Sequence, residues 1–146
     1  MVSIHVDIQK LEWRPGSAKY GPVAVHEGKE IIQSAILSDR RQDGGGLALL
    51  SKVAPPPGKV VKIISVARSD EHVFHLEGGR GTKSGRPARA ESDYTLNTEG
   101  QVHSAFIGTE TLSLVIYRGE PDENISFEVV DATPALEALC GRCDPF

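Results

Sequence analysis

The feature that most constrains this chain is its punctuation. Short runs of β-branched and apolar residues are each soon closed by glycine, proline or a polar turn. Residues 2–8 read VSIHVDI, the strict alternation of a half-buried strand. Residues 30–37 carry two apolar pairs and also read as a strand. The turn Asp43-Gly44-Gly45-Gly46 precedes a strand at 47–53, and Pro55-Pro56-Pro57-Gly58 precedes the β-branched run 59–66. After the polar turn Arg68-Ser69-Asp70 comes a strand at 72–76. Residues 78–90, rich in Gly, Arg and Ser, read as loop or hairpin. Further strands are predicted at 94–96, 102–106, 111–117 and 125–130. A single helix is predicted near the end, with Thr133 as N-cap, Pro134 in the first turn and Gly141 just past the stop. Many short strands at close spacing predict an all-β sandwich or barrel. No solenoid repeat and no linker divides the chain.

A chain of 146 residues is long enough for one domain with its own core. Sixteen basic and twenty acidic residues give a net charge of −4, with no Lys/Arg-rich run. That balance argues against a nucleic-acid partner or an anionic membrane surface. No apolar run approaches the ~20 residues of a membrane helix, and the N-terminus lacks the apolar core of a signal peptide. A cytoplasmic location is expected. Cys140 and Cys143 stand too close together to be a secreted disulfide framework. A reactive cysteine pair gains from a helix N-terminus. This pair follows the C-terminal end of the predicted helix, where the dipole has the opposite sign, so a frayed tail is expected.

The stretch EHVFHLEG, residues 71–78, holds two histidines and two carboxylates and invites a metal reading. Strand geometry argues otherwise. Glu71, Val73 and His75 share one face, while His72, Phe74 and Leu76 take the other. The Cα atoms of Glu71 and His75 lie ~13 Å apart on a strand, too far for both to reach one ion.

From Gly58, five residues lead to Ile64, then Val66, four more to Glu71 and six to Gly78. This spacing is similar to the first cupin motif, G-x5-H-x-H-x3–4-E-x6-G, with both histidines replaced. The second motif, G-x5-P-x-G-x2-H-x3-N, maps onto Ser92, Thr98, Gly100, His103 and Ile107, of which Gly100 and His103 match. With LEGG, SDYTLNTEGQVHSAF and LSLVIYRGEPDE, residues 44–122 resemble the small single-domain, RmlC-like cupins related to the ChrR anti-sigma-factor and acetylacetone-dioxygenase group.

The resemblance implies one cupin domain over residues 1–146, a double-stranded β-helix or jelly-roll barrel with a short C-terminal helix. Residues 1–43 would cover an edge or pair with a partner chain, 44–122 would carry the barrel motifs, and 123–146 the last strand and tail. It also implies a homodimer. Cupins with intact motifs hold a divalent metal through the two first-motif histidines, the glutamate and the second-motif histidine. Here only Glu71 and His103 remain of that set. No cofactor is therefore expected, with iron, zinc or manganese on Glu71 and His103 as the alternative.

Glu71, His103 and His75 are the candidate catalytic residues. Lys62 shares the parity of Ile64 and Val66, so Lys62, Ile64, Val66 and Val73 are expected to line a small-molecule pocket. Glu71 in an apolar site should have a raised pKa. Three functions stay open: a metal-independent acid–base enzyme of isomerase, cyclase or lyase type, a metal-dependent oxygenase with non-standard ligands, and a non-catalytic ligand-binding or sensing module. A purely structural Glu71–His103 pair is the bland alternative. Arg80, Lys83, Arg86 and Arg89 read as a solvated loop or, more sharply, as an anion-binding lid. Trp13 and Tyr20 read as packing or dimer-interface aromatics, and His5, His26 and His72 as surface residues.

Overall fold

A computed structural model describes residues 2–78, 94–140 and 142–145, the last four as backbone only. The strands are β1 (Arg14–Pro15), β2 (Val25–His26), β3 (Lys29–Glu30), β4 (Ile32–Arg40), β5 (Gly46–Val53), β6 (Lys59–Val66), β7 (Glu71–Gly78), β8 (Tyr94–Asn97), β9 (Val102–Ile107), β10 (Thr111–Tyr117), β11 (Glu123–Asp131) and β12 (Arg142–Pro145). β5 pairs with β10, β6 with β9 and β7 with β8, all antiparallel. These three nested pairs fall alternately into two sheets. One has the order β1-β4-β5-β10-β7-β8 and the other β11-β6-β9-β12. Nested antiparallel pairs wound alternately into two facing sheets are a jelly roll. The chain is all-β, as its punctuation predicts.

The core sits between the sheets because alternate strand residues point inward. Val61 is fully buried and packs with Ala24, Ile31, Ile32, Val53 and Phe127, and the ring of Tyr20 lies 4.6 Å from that of Phe127. Leu47, Val73, Val115 and Tyr117 form a second cluster along the six-stranded sheet. Tight turns are set by backbone chemistry. Gly46 has φ +77°, and a Cβ there would lie 2.4 Å from the carbonyl oxygen of Tyr117. Only glycine lets β5 start so close to the end of β10.

The helix after β11 forms as predicted, as the single turn α2 (Pro134–Glu137). Thr133 caps it, its Oγ1 accepting from the Leu136 amide at 3.2 Å. An earlier single turn, α1 (Ser17–Tyr20), lies between β1 and β2 and has no periodic signal in the sequence. Two expectations are corrected. Residues 2–7 join no sheet, and Ile8 opens a 3-10 turn (Ile8–Lys10) capped by Asp7, because alternation alone supplies no neighbouring strand. The residues after α2 do not fray: β12 pairs with β9, with Arg142 opposite Phe106 and Pro145 opposite His103. Residues 79–93, with Arg80, Lys83, Arg86 and Arg89, and the expected stop at Gly141 lie outside the described residues.

Candidate functional site

One end of the jelly roll gathers the polar residues. Glu71 opens β7, Asn97 closes β8, Tyr117 closes β10, and His103 is the second residue of β9. The registers Tyr117↔Glu71 and Glu71↔Asn97 bring three of these side by side on the inward face. Asp122 comes from the connection between β10 and β11. That connection is tied to the turn before Glu71. Arg118 donates its amide to the Asp70 carbonyl at 2.9 Å, Gly119 its amide to Ser69 Oγ at 2.9 Å, and Ser69 Oγ its proton to the Glu120 carbonyl at 2.8 Å.

His103 Nε2 lies 2.8 Å from Asp122 Oδ2 and 3.7 Å from Glu71 Oε1. One ligand atom from each of Glu71, His103 and Asp122 falls within 4.8 Å of the others, and the three residues are 6–8% exposed. Asn97 Nδ2 donates to Glu71 Oε1 at 2.8 Å, and the Tyr117 hydroxyl also hydrogen-bonds that carboxylate. The Lys19 ammonium donates to the Asp122 carbonyl at 3.0 Å. Lys19 is exposed as a residue, and only its charged end is sheltered here.

Burial first and the Asp122 charge second push the Glu71 carboxyl up to about 7, partly offset by Asn97, His103 and Tyr117. Burial pulls the His103 imidazole down. The hydrogen bond to Asp122 and the charges of Glu71 and Asp122 outweigh it, and the net direction is up. Lost water lowers the Lys19 ammonium, against the pull of Asp122 and Glu71. The Tyr20 hydroxyl is pushed up to about 12 and that of Tyr117 well above its ordinary value, by burial first and the two carboxylates next.

These groups border a cavity of about 440 Å³, within the usual range for a small-molecule site. Its walls are mainly apolar, with Leu47, Leu49, Val73 and Val115 from the six-stranded sheet and Ile63 and Ala105 from the other. Further along β7, His75 lines the same cavity, its Nδ1 3.4 Å from Ser113 Oγ.

Glu71, Val73, His75 and His103 therefore stand on the cavity side, where the sequence places them. Lys62, Ile64 and Val66 do not. β6 pairs with β9 so that Ser65 lies opposite His103 and Ile63 opposite Ala105. Opposed residues share a face, so an inward His103 turns Ser65 and Ile63 inward. Lys62 points the other way, 3.9 Å from Glu128 and 6.0 Å from the Phe106 ring centre. The motif tolerates three or four residues before its glutamate. Counting four gives Ile64 and Val66, whereas counting three gives Ser65 and Ala67, the parity that the pairing requires. The position facing His103 is thus a serine, not an apolar residue.

Asp122, Lys19, Tyr20, Asn97 and Tyr117 escape the sequence reading. Asp122 sits in RGEPDE, in the connection after β10, and no local pattern marks it as a site residue. Tyr20 packs on Phe127, as a packing aromatic should, and also borders the cavity.

Glu71, His103 and Asp122 suit a divalent cation. The donor set mixes one nitrogen with carboxylate oxygens. Asp122 Oδ1 is buried and has no hydrogen-bond partner among the described residues, an arrangement that is costly unless something satisfies it.

The fold and site define a jelly-roll protein with a buried carboxylate–histidine cluster on an apolar cavity. No family model matches the chain, and no curated protein does. Among solved structures it is similar to "Crystal Structure of FeII HppE", at 12% identity and a TM-score of 0.26, over 90% of this chain and 60% of that one. The chain thus spans three fifths of that structure's length. So loose a likeness adds nothing to the strand pairing, on which the fold assignment stands. No helix among the described residues is long and apolar enough to cross a membrane.

Proposed function

We propose that this chain is a small-molecule enzyme of the cupin type whose Glu71, His103 and Asp122 hold a divalent metal ion, iron, zinc or manganese, at the polar end of the cavity. The observation that carries this reading is the convergence of three buried ligand atoms, from three separate segments, on one point beside the cavity. A catalytic metal site takes three protein ligands and keeps one position open. Asp122 supplies the third ligand that strand geometry denies to His75.

When bound, the ion supplies Lewis-acid chemistry toward a substrate oxygen. The chain's own residues do the rest. Leu47, Leu49, Val73 and Val115 pack the substrate's apolar body and keep water out. Asn97 and Tyr117 hold the Glu71 carboxylate in one orientation, as outer partners of a metal ligand do. Lys19 brings a positive charge toward negative charge developing near Asp122. His75, steadied by Ser113, hydrogen-bonds the far end of the substrate.

The test is elemental analysis of untagged protein, stripped with chelator and reloaded with iron, zinc or manganese. A stoichiometric ion that is lost in both Asp122→Asn and His103→Ala supports the reading. Wild-type protein that retains no ion contradicts it.

A second reading keeps its place on one observation. The Asp122–His103 hydrogen bond of 2.8 Å stands beside a glutamate pushed up to about 7, and a pKa near neutrality suits general acid–base work. Metal-free proton transfer, of isomerase, cyclase or lyase type, predicts turnover that survives chelation and falls in Glu71→Gln. A sensing module predicts tight ligand binding without conversion.

A further inference from the structure

We infer that the cavity takes an elongated substrate with an apolar middle and a carboxylate at its far end, and that Arg14, Ser34 and Ser51 hold this carboxylate. The inference rests on the proposed function at one point only, the metal ion that takes the substrate's other end. The far subsite stands on its own geometry.

That geometry lies in the register of the six-stranded sheet. Arg14 is opposite Ser34, Ser34 opposite Ser51, Ser51 opposite Ser113, and Ser113 opposite His75. Opposed residues share a face. These residues therefore form one polar row across β1, β4, β5, β10 and β7, and all of them line the cavity. The next row is apolar, with Ile36, Leu49, Val115 and Val73. The row beyond it is polar again, with Tyr117, Glu71 and Asn97. The inner face is thus banded: polar, apolar, polar. Inward strand positions ordinarily take β-branched or aromatic residues, and three serines side by side forgo that packing.

Ser113 Oγ lies 3.4 Å from His75 Nδ1. The Ser34 and Ser51 hydroxyls have no hydrogen-bond partner among the described residues. Arg14 stands exposed on the edge strand, directly opposite Ser34. Asp39 is within reach of its charge, but the Asp39 oxygens already accept from Arg41 at 2.9 and 2.7 Å.

The ligand class follows from this donor set. The planar fork of an arginine matches a carboxylate, and two serine hydroxyls add donors beside it. Among the described residues that line the cavity, the only acids are Glu71 and Asp122. Glu71 stands two rows away, so nothing in the far row repels an anion. The one permanent positive charge of the row balances a carboxylate and would leave a phosphate dianion half compensated. The two polar rows lie ~13 Å apart along the strands. A metal bond of ~2 Å and a hydrogen bond of ~3 Å leave about 8 Å between the substrate's end groups. That is a span of roughly six carbon–carbon bonds, lying over the apolar row.

The experiment is isothermal titration calorimetry at pH 8 on untagged, chelator-treated protein, with heptanoate and 1-heptanol as probes. They share an apolar body and differ in the end group. Without metal, the charges of Glu71 and Asp122 turn a carboxylate away from the near end, so heptanoate reports the far row. Wild type is expected to bind heptanoate roughly tenfold more tightly than heptanol, or better. Arg14→Gln, and Ser34→Ala with Ser51→Ala, should each bring the two probes within roughly threefold of each other. Circular dichroism checks the fold, and unchanged heptanol binding shows that the cavity persists. Equal affinities in wild type overturn the inference. So does a preference that survives Arg14→Gln, and so does a failure of both probes to bind below ~10 mM.

Zinc-loaded protein separates this inference from the proposed function. There heptanedioate should bind roughly tenfold more tightly than heptanoate, and Arg14→Gln should remove the gain. A heptanoate preference without any gain from zinc upholds the far subsite and removes the metal alone. A gain from zinc that Arg14→Gln leaves untouched overturns the subsite and leaves the metal standing.

Discussion

Replacing Glu71 by glutamine in chelator-treated protein removes a charge that the fold holds at a cost. Glu71 is 6% exposed, and burial first, with Asp122 second, moves its carboxyl from 4.5 to about 7. An acid raised in this way keeps its proton in the folded state after the unfolded chain has lost its own. The stability gained is complete below about 4.5 and is lost as the pH climbs through about 7. Over those 2.5 pH units, at ~1.4 kcal/mol each, the loss is about 3 kcal/mol. His103 is also raised, so its deprotonation adds a loss of the same sign. Glutamine stays neutral at every pH and keeps an oxygen to accept from Asn97. The gap in unfolding free energy, variant minus wild type, should therefore widen by about 3 kcal/mol between pH 4.5 and 8.5. For a chain of this size that is a melting-temperature gap of roughly 6–12 °C. Urea melts followed by circular dichroism across that range measure it. Adding the metal should reverse the order at pH 8, because an ion bound only by the folded state stabilises it and prefers the ionised carboxylate. Parallel pH profiles for the two metal-free proteins would refute the reasoning.

Three further outcomes follow from packing and parity. Lys62→Ala should leave metal content and ligand binding unchanged and cost less than about 1 kcal/mol in a urea melt, since its partner Glu128 is exposed. A loss of ligand binding would return Lys62 to the cavity. Phe127→Ala should cost ~3–5 kcal/mol by opening the cluster around Val61 and freeing the Tyr20 ring. A cost below ~1 kcal/mol would mean that cluster is not packed as described. Gly46→Ala should cost more than about 1 kcal/mol, because φ is +77° and the Tyr117 carbonyl occupies the space of a Cβ. A neutral melt would show that β5 can start elsewhere.

The strands were legible wherever a run of alternating or β-branched residues met a Gly or Pro stop. Residues 59–66 and 111–117 are found as β6 and β10 with their ends in place. Residues 2–8 show the limit: alternation says that one face is apolar, but not whether a neighbouring strand exists to pair with. In the site, Glu71, Val73 and His75 were legible because a strand has a two-residue period and one anchored residue fixes the others. Lys62, Ile64 and Val66 were misplaced for the same reason, since a motif gap of four rather than three inverts the whole strand. Only the cross-strand register of Ser65 with His103 decides between them. Asp122 was not legible at all. Its role depends on the loop contacts of Ser69 and Arg118 that draw it to Glu71, and no local pattern encodes them. Lys19 and Tyr20 arrive from a one-turn helix too short to leave a periodic signal.

The most direct measurement is anomalous diffraction from crystals of the untagged protein, loaded with iron, zinc or manganese and recorded on both sides of the metal's absorption edge. The account predicts one strong peak between Glu71, His103 and Asp122, within ~2.0–2.2 Å of a ligand atom from each and facing the cavity. A peak elsewhere, or a loaded crystal with density for a hydrogen-bonded Glu71–His103–Asp122 cluster and no peak among them, would contradict it.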